Sequence, residues 1–353
     1  MVNRAVRKVT RVILENENIQ VLELNKDEKA YNYTCFTGKV GVNDEVLVNT
    51  TAVDLNLGSG GYHFVIAKYP FASKKDLSPG HIIKLRYTPL QLRTYPIEEQ
   101  LGEELDKVSL KDTVVITAEL HSMLAPIALA IKKLKPQYKI AYVMTDGGSL
   151  SASHSKAATL LKESNIIEGV VTSGHSFGGD IEAINPVSAI QGAKAAFEAD
   201  VIIVCMGPGI VGTGTEMGFT GIEQSYISDL AQKLGCKVYP AVRIGFVDER
   251  KRHNGISHHF LTNFGKLCGG KYTIILPRLT RERMNLLLNQ LTEYGIKQKH
   301  HLAVANGVDI QNISELCKIN LSTMGRGYNE NKSFFDSLTA LGGYVTKLMG
   351  SRL

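Results

Sequence analysis

Gly174-His175-Ser176-Phe177-Gly178-Gly179-Asp180 and Gly207-Pro208-Gly209-Ile210-Val211-Gly212-Thr213-Gly214-Thr215 are the two stretches whose residue types and spacing could do chemistry. Each directly follows a short apolar run. Glycine allows positive φ and close approach of backbone to a ligand, while unpaired N–H groups and hydroxyls donate to an anion. The second stretch therefore reads as an anion cradle, with Gly207, Gly209, Gly212, Thr213, Gly214 and Thr215 as ligand-binding residues. In the first, His175 and Asp180 are the expected acid/base residues, and Gly178 and Gly179 give room for a ligand. Thr145-Asp146-Gly147-Gly148 brings Asp146, Gly147 and Gly148 from a third loop. Magnesium would suit the carboxylates of Asp146, Asp180 and Glu216 facing phosphate oxygens, and the residues leave the metal and cofactor unknown beyond that.

Two narrower motifs lie inside these loops. Gly207, Gly209 and Gly212 match G-x-G-x-x-G after a strand, the dinucleotide fingerprint. Pro208 and the added Thr213 to Gly218 lengthen the loop, and Arg243 stands in the next strand where an acid is expected, so phosphate or carboxylate cradling is kept and a claim for NAD is dropped. Gly174 to Gly178 matches G-x-S-x-G, which would make Ser176 the nucleophile of an α/β-type serine hydrolase. Asp248 and one of His253, His258 or His259 follow in the right order, but these histidines precede the strand at Thr273 and no HGG-type oxyanion loop is present. The adjacent pairs His258-His259 and His300-His301 diverge on a helix or strand, so neither pair alone makes a two-ligand site. Arg250, Arg252 and Arg326 are further residues able to reach an anion.

Such loops need elements that position them. From Asp112 onward, apolar strands alternate with polar loops and helix-length segments: Val114 to Thr117, Ile140 to Met144, Gly169 to Thr172, Val201 to Met206, Val238 to Ile244, Thr273 to Leu276 and Leu302 to Ala305. Strands this rich in Val and Ile are buried on both faces, which predicts a doubly wound, mainly parallel, Rossmann-like sheet covered by helices. Ligands of such sheets bind beyond the carboxyl ends of the strands, so Glu119, His121, Ser122, Arg278 and Asn306 join the loops above on one rim. The stripe Phe334, Phe335, Leu338, Leu341, Val345 and Leu348 predicts a C-terminal helix, in which Gly342 and Gly343 imply close approach of another element. Residues 8–87 show only short strands between turn signals such as Gly58-Ser59-Gly60-Gly61 and Ser78-Pro79-Gly80, which predicts a small antiparallel barrel or sandwich. The expected layout is a β domain over 1–88, a connector with one short helix over 89–111, and the α/β ligand-binding domain over 112–353.

Composition bounds the function classes. The 353 residues are 44% hydrophobic and 21% charged, ordinary for a folded chain. A net charge of +6 permits anionic partners, but Lys and Arg are dispersed and no basic block interleaved with aromatics marks a nucleic-acid surface. The odd count of five cysteines has no C-x-x-C pair, which fits reduced thiols and a cytoplasmic location. No apolar run reaches membrane-spanning length, so neither export nor insertion is expected. A homo-oligomer is compatible with all of this.

Taken together, Val48-Asn49-Thr50-Thr51-Ala52-Val53, Gly60-Gly61-Tyr62-His63-Phe64, Thr145-Asp146-Gly147-Gly148, Gly174 to Asp180, Met206 to Thr215, Gly218-Phe219-Thr220-Gly221, Ser257-His258-His259 and Met324-Gly325-Arg326-Gly327 resemble a bacterial family classified only as a domain of unknown function. The resemblance runs over nearly the whole chain and implies a cytoplasmic protein of this two-part layout, without implying an activity. The residues themselves favour an enzyme acting on a phosphorylated or otherwise anionic small molecule. A serine hydrolase using Ser176 and a non-catalytic ligand sensor are the alternatives.

Overall fold

The computed structural model describes residues 2–56, 59–71, 79–148 and 150–350, with Lys251 by its backbone alone. Gly58 and Ser78, read above as parts of turns, lie outside the described residues. The chain divides into two units, residues 1–94 and 95–353.

In the first unit, strands β1 (Arg4–Glu15), β2 (Ile19–Leu24), β3 (Lys29–Tyr33), β4 (Glu45–Asn49) and β5 (Tyr62–Tyr69) close a barrel in the order β1-β2-β3-β5-β4. Alternate residues point inward, and Val9, Leu22, Leu24, Ala30, Val46, Val48 and Val65 fill the interior. The barrel is not wholly antiparallel as expected: β3 and β5 run parallel, with Lys29 opposite Tyr62. A closed ring of five strands cannot alternate direction all the way round, so one pairing must be parallel. A hairpin of β6 (Ile82–Lys84) and β7 (Leu92–Thr94) completes this unit. Two one-turn helices, Ile97–Leu101 and Glu103–Asp106, then stand where one was expected.

The second unit is built on six parallel strands: β8 (Val114–Thr117), β9 (Ile140–Thr145), β10 (Gly169–Thr172), β11 (Ile181–Glu182), β12 (Val201–Met206) and β13 (Lys237–Pro240). Their order is β11-β10-β9-β12-β8-β13. This departs from the 3-2-1-4-5-6 order of dinucleotide-binding sheets because β12 is inserted between β9 and β8.

Successive residues of the strands serve two cores. Val114, Ile116, Ile140, Tyr142, Val201 and Ile203 face one layer, packed by α1 (Leu124–Leu134) and α2 (Lys156–Glu163). Val115, Ala141, Val143, Ile202 and Val204 face the other, packed by α3 (Pro186–Phe197) and α4 (Glu223–Lys233). The chain thus leaves β8 and β9 for one face, but leaves β12, which lies between them, for the opposite face. Connections that part in this way open a crevice at the carboxyl ends of the strands.

The expected strands at Thr273 and Leu302 lie outside this sheet, and the one expected over Val238 to Ile244 ends at Pro240. β14 (Ile244–Gly245) and β15 (Gly255–Ile256) form a short antiparallel pair, and β16 (Thr273–Pro277) bonds only to β17 (His301–Ala305). Between them lie α5 (His258–Thr262) and a π-helical turn. After the hairpin of β18 (Ser322–Thr323) and β19 (Arg326–Gly327), the C-terminal helix α6 (Lys332–Gly350) packs in the first layer. A Cβ on Gly342 would stand 2.9 Å from Ala130 Cβ and 3.2 Å from the Ile127 carbonyl, so the glycine is what lets α6 lie against α1.

Candidate functional site

A cavity of about 500 Å³ opens at the crevice, lined from β8 by His121 and Ser122, from the start of α2 by Ser155 and Lys156, and from the loop after β12 by Gly209 and Ile210. Ser155 caps α2 by accepting the Ala158 N–H, and its Oγ lies 2.8 Å from His121 Nε2. On the other side of that ring, Tyr142 Oη is 3.4 Å from Nδ1 and donates to the Met206 carbonyl at 3.2 Å. Burial, assisted by His154, pushes the His121 imidazole down to about 4, so it is neutral at pH 7. A neutral imidazole bonded to a serine hydroxyl is the arrangement in which a base activates a nucleophile. Thirty-four residues separate the two, and no local spacing in the sequence announces the pair.

The predicted loop residues are distributed unevenly around this crevice. Gly209, at φ 106°, lines the cavity and has open space where a side chain would stand. Gly207 is instead packed on Met144, since a Cβ there would lie 2.6 Å from Met144 Cε. Thr213 and Thr215 are exposed and bonded to each other at 2.8 Å, with Thr213 Oγ1 also donating to the Gly218 carbonyl; Gly214 lies between them. The hydroxyls of the expected cradle are therefore turned into their own loop. Gly212 bridges to Phe219, and Phe219 stacks on the His259 ring with centroids 4.0 Å apart.

The first loop is also split. His175, half-buried beyond the carboxyl end of β10, donates its N–H to Asp146 Oδ2 at 3.1 Å. Asp146 also presses on Gly174, where a Cβ would meet Oδ2 at 2.2 Å. Ser176 is buried and its Oγ donates to the Thr145 carbonyl at 2.8 Å, so its hydroxyl ties two strand ends together. Asp180 lies elsewhere: it accepts the Val170 N–H at 2.9 Å and pairs with Lys162. Because β11 restarts parallel to β10 with Val171 opposite Ile181, Asp180 must stand at the amino end of β10. The two expected acid/base residues thus stand toward opposite ends of β10, His175 beyond its carboxyl end and Asp180 beside Val170. Gly178 donates to Glu182, and Gly179 fits against the Val170 carbonyl at 2.8 Å from its would-be Cβ. Gly147 and Gly148 make room for Met206 and Leu150.

Other predicted rim residues are engaged elsewhere. Glu216 pairs with Lys266, and Asp248 accepts two hydrogen bonds from the Arg250 guanidinium and one from its backbone N–H. Arg278 donates to Asn306 at a separate cavity beside β16 and β17, because that pair forms its own sheet.

Two buried carboxyls that motif reading did not single out as catalytic complete the picture. Glu223, at the start of α4, accepts a hydrogen bond from the Thr145 hydroxyl. Burial raises its pKa to about 7, opposed by that bond and assisted by the charge of Asp146. Glu119, just past β8, is fully buried; Arg243 Nη1 lies 3.4 Å and His259 Nδ1 3.7 Å from its Oε1. Burial is the largest effect on it and acts upward, but His259, Arg243 and His253 together hold the carboxyl below its ordinary value.

His253, His258 and His259 gather beside Glu119, one nitrogen from each lying within 4.8 Å of the others. Adjacent histidines were expected to diverge. In the first turn of α5 the two ring centroids are only 4.2 Å apart, and His253 completes the group from the preceding turn. Burial pushes His253 down to about 3 and His258 to about 4, with neighbouring Arg243 and His259 adding to the effect, so both rings are neutral at pH 7. Both nitrogens of His258, His259 Nδ1 and Glu119 Oε2 are buried with no hydrogen-bond partner among the described residues. Each such atom costs about 1–3 kcal/mol if left unpaired.

Residues 29–342 match the family described as Protein of unknown function (DUF3866), and the chain belongs to that family. No curated protein and no solved structure matches it. No helix among the described residues is long and apolar enough to cross a membrane.

Proposed function

We propose that the second unit is an enzyme that binds a phosphorylated or similarly anionic small molecule in the crevice between the carboxyl ends of β8, β9 and β12. The observation that carries this reading is the cavity of about 500 Å³ onto which Lys156, the amino end of α2 and the Gly209 backbone open together. A lysine and a helix amino terminus both favour negative charge, and an open glycine at positive φ lets a ligand approach the main chain. His175 and Asp146 stand on the neighbouring rim, and Glu223, with a pKa near 7, is able to take and return a proton at neutral pH.

Thermal unfolding in the presence of inorganic phosphate, nucleotides and sugar phosphates tests it. A ligand at a hundred times its Kd stabilises the fold by about 2.7 kcal/mol, a shift of several degrees. Lys156→Ala should weaken that ligand by about tenfold, and Gly209→Val, which strains the backbone and fills the mouth, should remove the shift. A panel in which no anion stabilises the chain counts against the reading.

The contact between Ser155 and His121 supports a second reading, acyl transfer with Ser155 as nucleophile in place of Ser176. Fluorophosphonate labelling lost in Ser155→Ala and kept in Ser176→Ala would establish it; absence of labelling in the unaltered chain would exclude it.

A further inference from the structure

Three imidazoles and a carboxylate meet at one point of the rim, and His258 has no hydrogen-bond partner among the described residues at either ring nitrogen. His253 and His259 are 5% and 7% exposed, and Glu119 is 1% exposed. Four of the polar atoms there, two on His258 and one each on His259 and Glu119, are closed off from solvent and have no hydrogen-bond partner among the described residues; the nearest approach is His259 Nδ1 to Glu119 Oε1 at 3.7 Å. Native chains leave few such atoms unpaired, and a set gathered in one place calls for a common partner.

We propose that His253, His258 and His259 hold a divalent transition-metal ion of the zinc type. Three nitrogen donors suit zinc, cobalt or nickel, whereas magnesium and calcium take oxygen ligands. The surroundings are arranged to orient the rings. Ser257 Oγ lies 3.0 Å from His253 Nδ1, which leaves Nε2 as the ligating atom, and the same hydroxyl caps α5. Phe219 stacks on His259, and Glu119 Oε1 lies 3.7 Å from its Nδ1, so with the ion bound at Nε2 that carboxylate takes the outer-shell place on this ring. Metal–nitrogen bonds of about 2.0–2.1 Å put tetrahedral nitrogens about 3.4 Å apart, so from separations within 4.8 Å the rings close by at most about 1.4 Å per pair when the ion enters. Three protein ligands leave a position open. His253 also lines a small cavity with Arg243 and Arg326, so that position suits water or an anionic oxygen.

None of the three histidines lines the ligand cavity described above, and the test uses the metal alone. The full chain, stripped by chelator, is titrated with Zn²⁺ by calorimetry. One ion per chain is expected. His253→Gln and His258→Gln should each weaken it by more than about tenfold, while His301→Gln, on the exposed face of β17, should not. Absence of saturable binding, or an equal loss in His301→Gln, overturns the proposal. If a substitution unfolds the chain, the Co²⁺-loaded unaltered chain decides: intense visible bands of a four- or five-coordinate ion support the site, and the weak spectrum of aquated Co²⁺ overturns it. Lys156→Ala should leave Zn²⁺ binding intact, so failure of the anion reading and failure of the metal site are read separately.

Discussion

Glu119 and Glu223 are both buried at the carboxyl ends of neighbouring strands, and their surroundings push them in opposite directions. Desolvation is the largest effect on each and favours the neutral acid. Around Glu119, His259, Arg243 and His253 overcome it, and the group is a fixed anion. Around Glu223 there is one hydroxyl, from Thr145, and a second carboxylate, from Asp146, so the desolvation wins. Burial alone therefore says nothing about the state of a carboxyl. The first is placed to orient imidazoles; the second is placed to exchange a proton.

Removing the cation that sets the first case apart should have the largest effect. Arg243→Leu removes the permanent cation beside Glu119 and leaves only imidazoles to compensate the buried charge, and urea unfolding at pH 7 should show a loss of about 3–5 kcal/mol. A loss under 1 kcal/mol would mean that Glu119 is neutral and the contrast false.

The second carboxyl is addressed through pH. Its folded pKa, about 7, lies above the unfolded 4.5, so the stability associated with it is complete below pH 4.5 and is lost as pH rises through 7. Above that range the ionised group costs roughly 3 kcal/mol. Glu223→Gln, which can still accept from Thr145, should thus match the unaltered chain at pH 4.5 and exceed its stability by up to that amount at pH 8.5. Parallel stability curves would remove the distinction between the two acids. The smallest effect is expected at Ser176, whose alanine variant loses one hydrogen bond to the Thr145 carbonyl beside Glu223, about 1 kcal/mol by the same unfolding measurement.

Much of the scaffold was legible because strand and helix periods are local. Val114 to Thr117, Gly169 to Thr172 and Val201 to Met206 read as strands from their own composition, and Gly342 marked a close approach that α1 supplies. Closeness in sequence did not show that His175 lies beyond the carboxyl end of β10 while Asp180 stands beside Val170 toward its amino end. The expected divergence of His258 and His259 neglected that the turn before α5 folds His253 back onto both.

The amino-acid sequence by itself determined where strands run, where glycines must sit and that polar residues collect at strand ends, since each of these depends on neighbours a few positions away. Only the tertiary structure decided that Ser155 meets His121, that Arg243 meets Glu119 and that three histidines share one point. Those encounters depend on β12 lying between β9 and β8 and on the faces by which the chain leaves them, and strand order is set by the packing of the whole sheet, which no local period encodes.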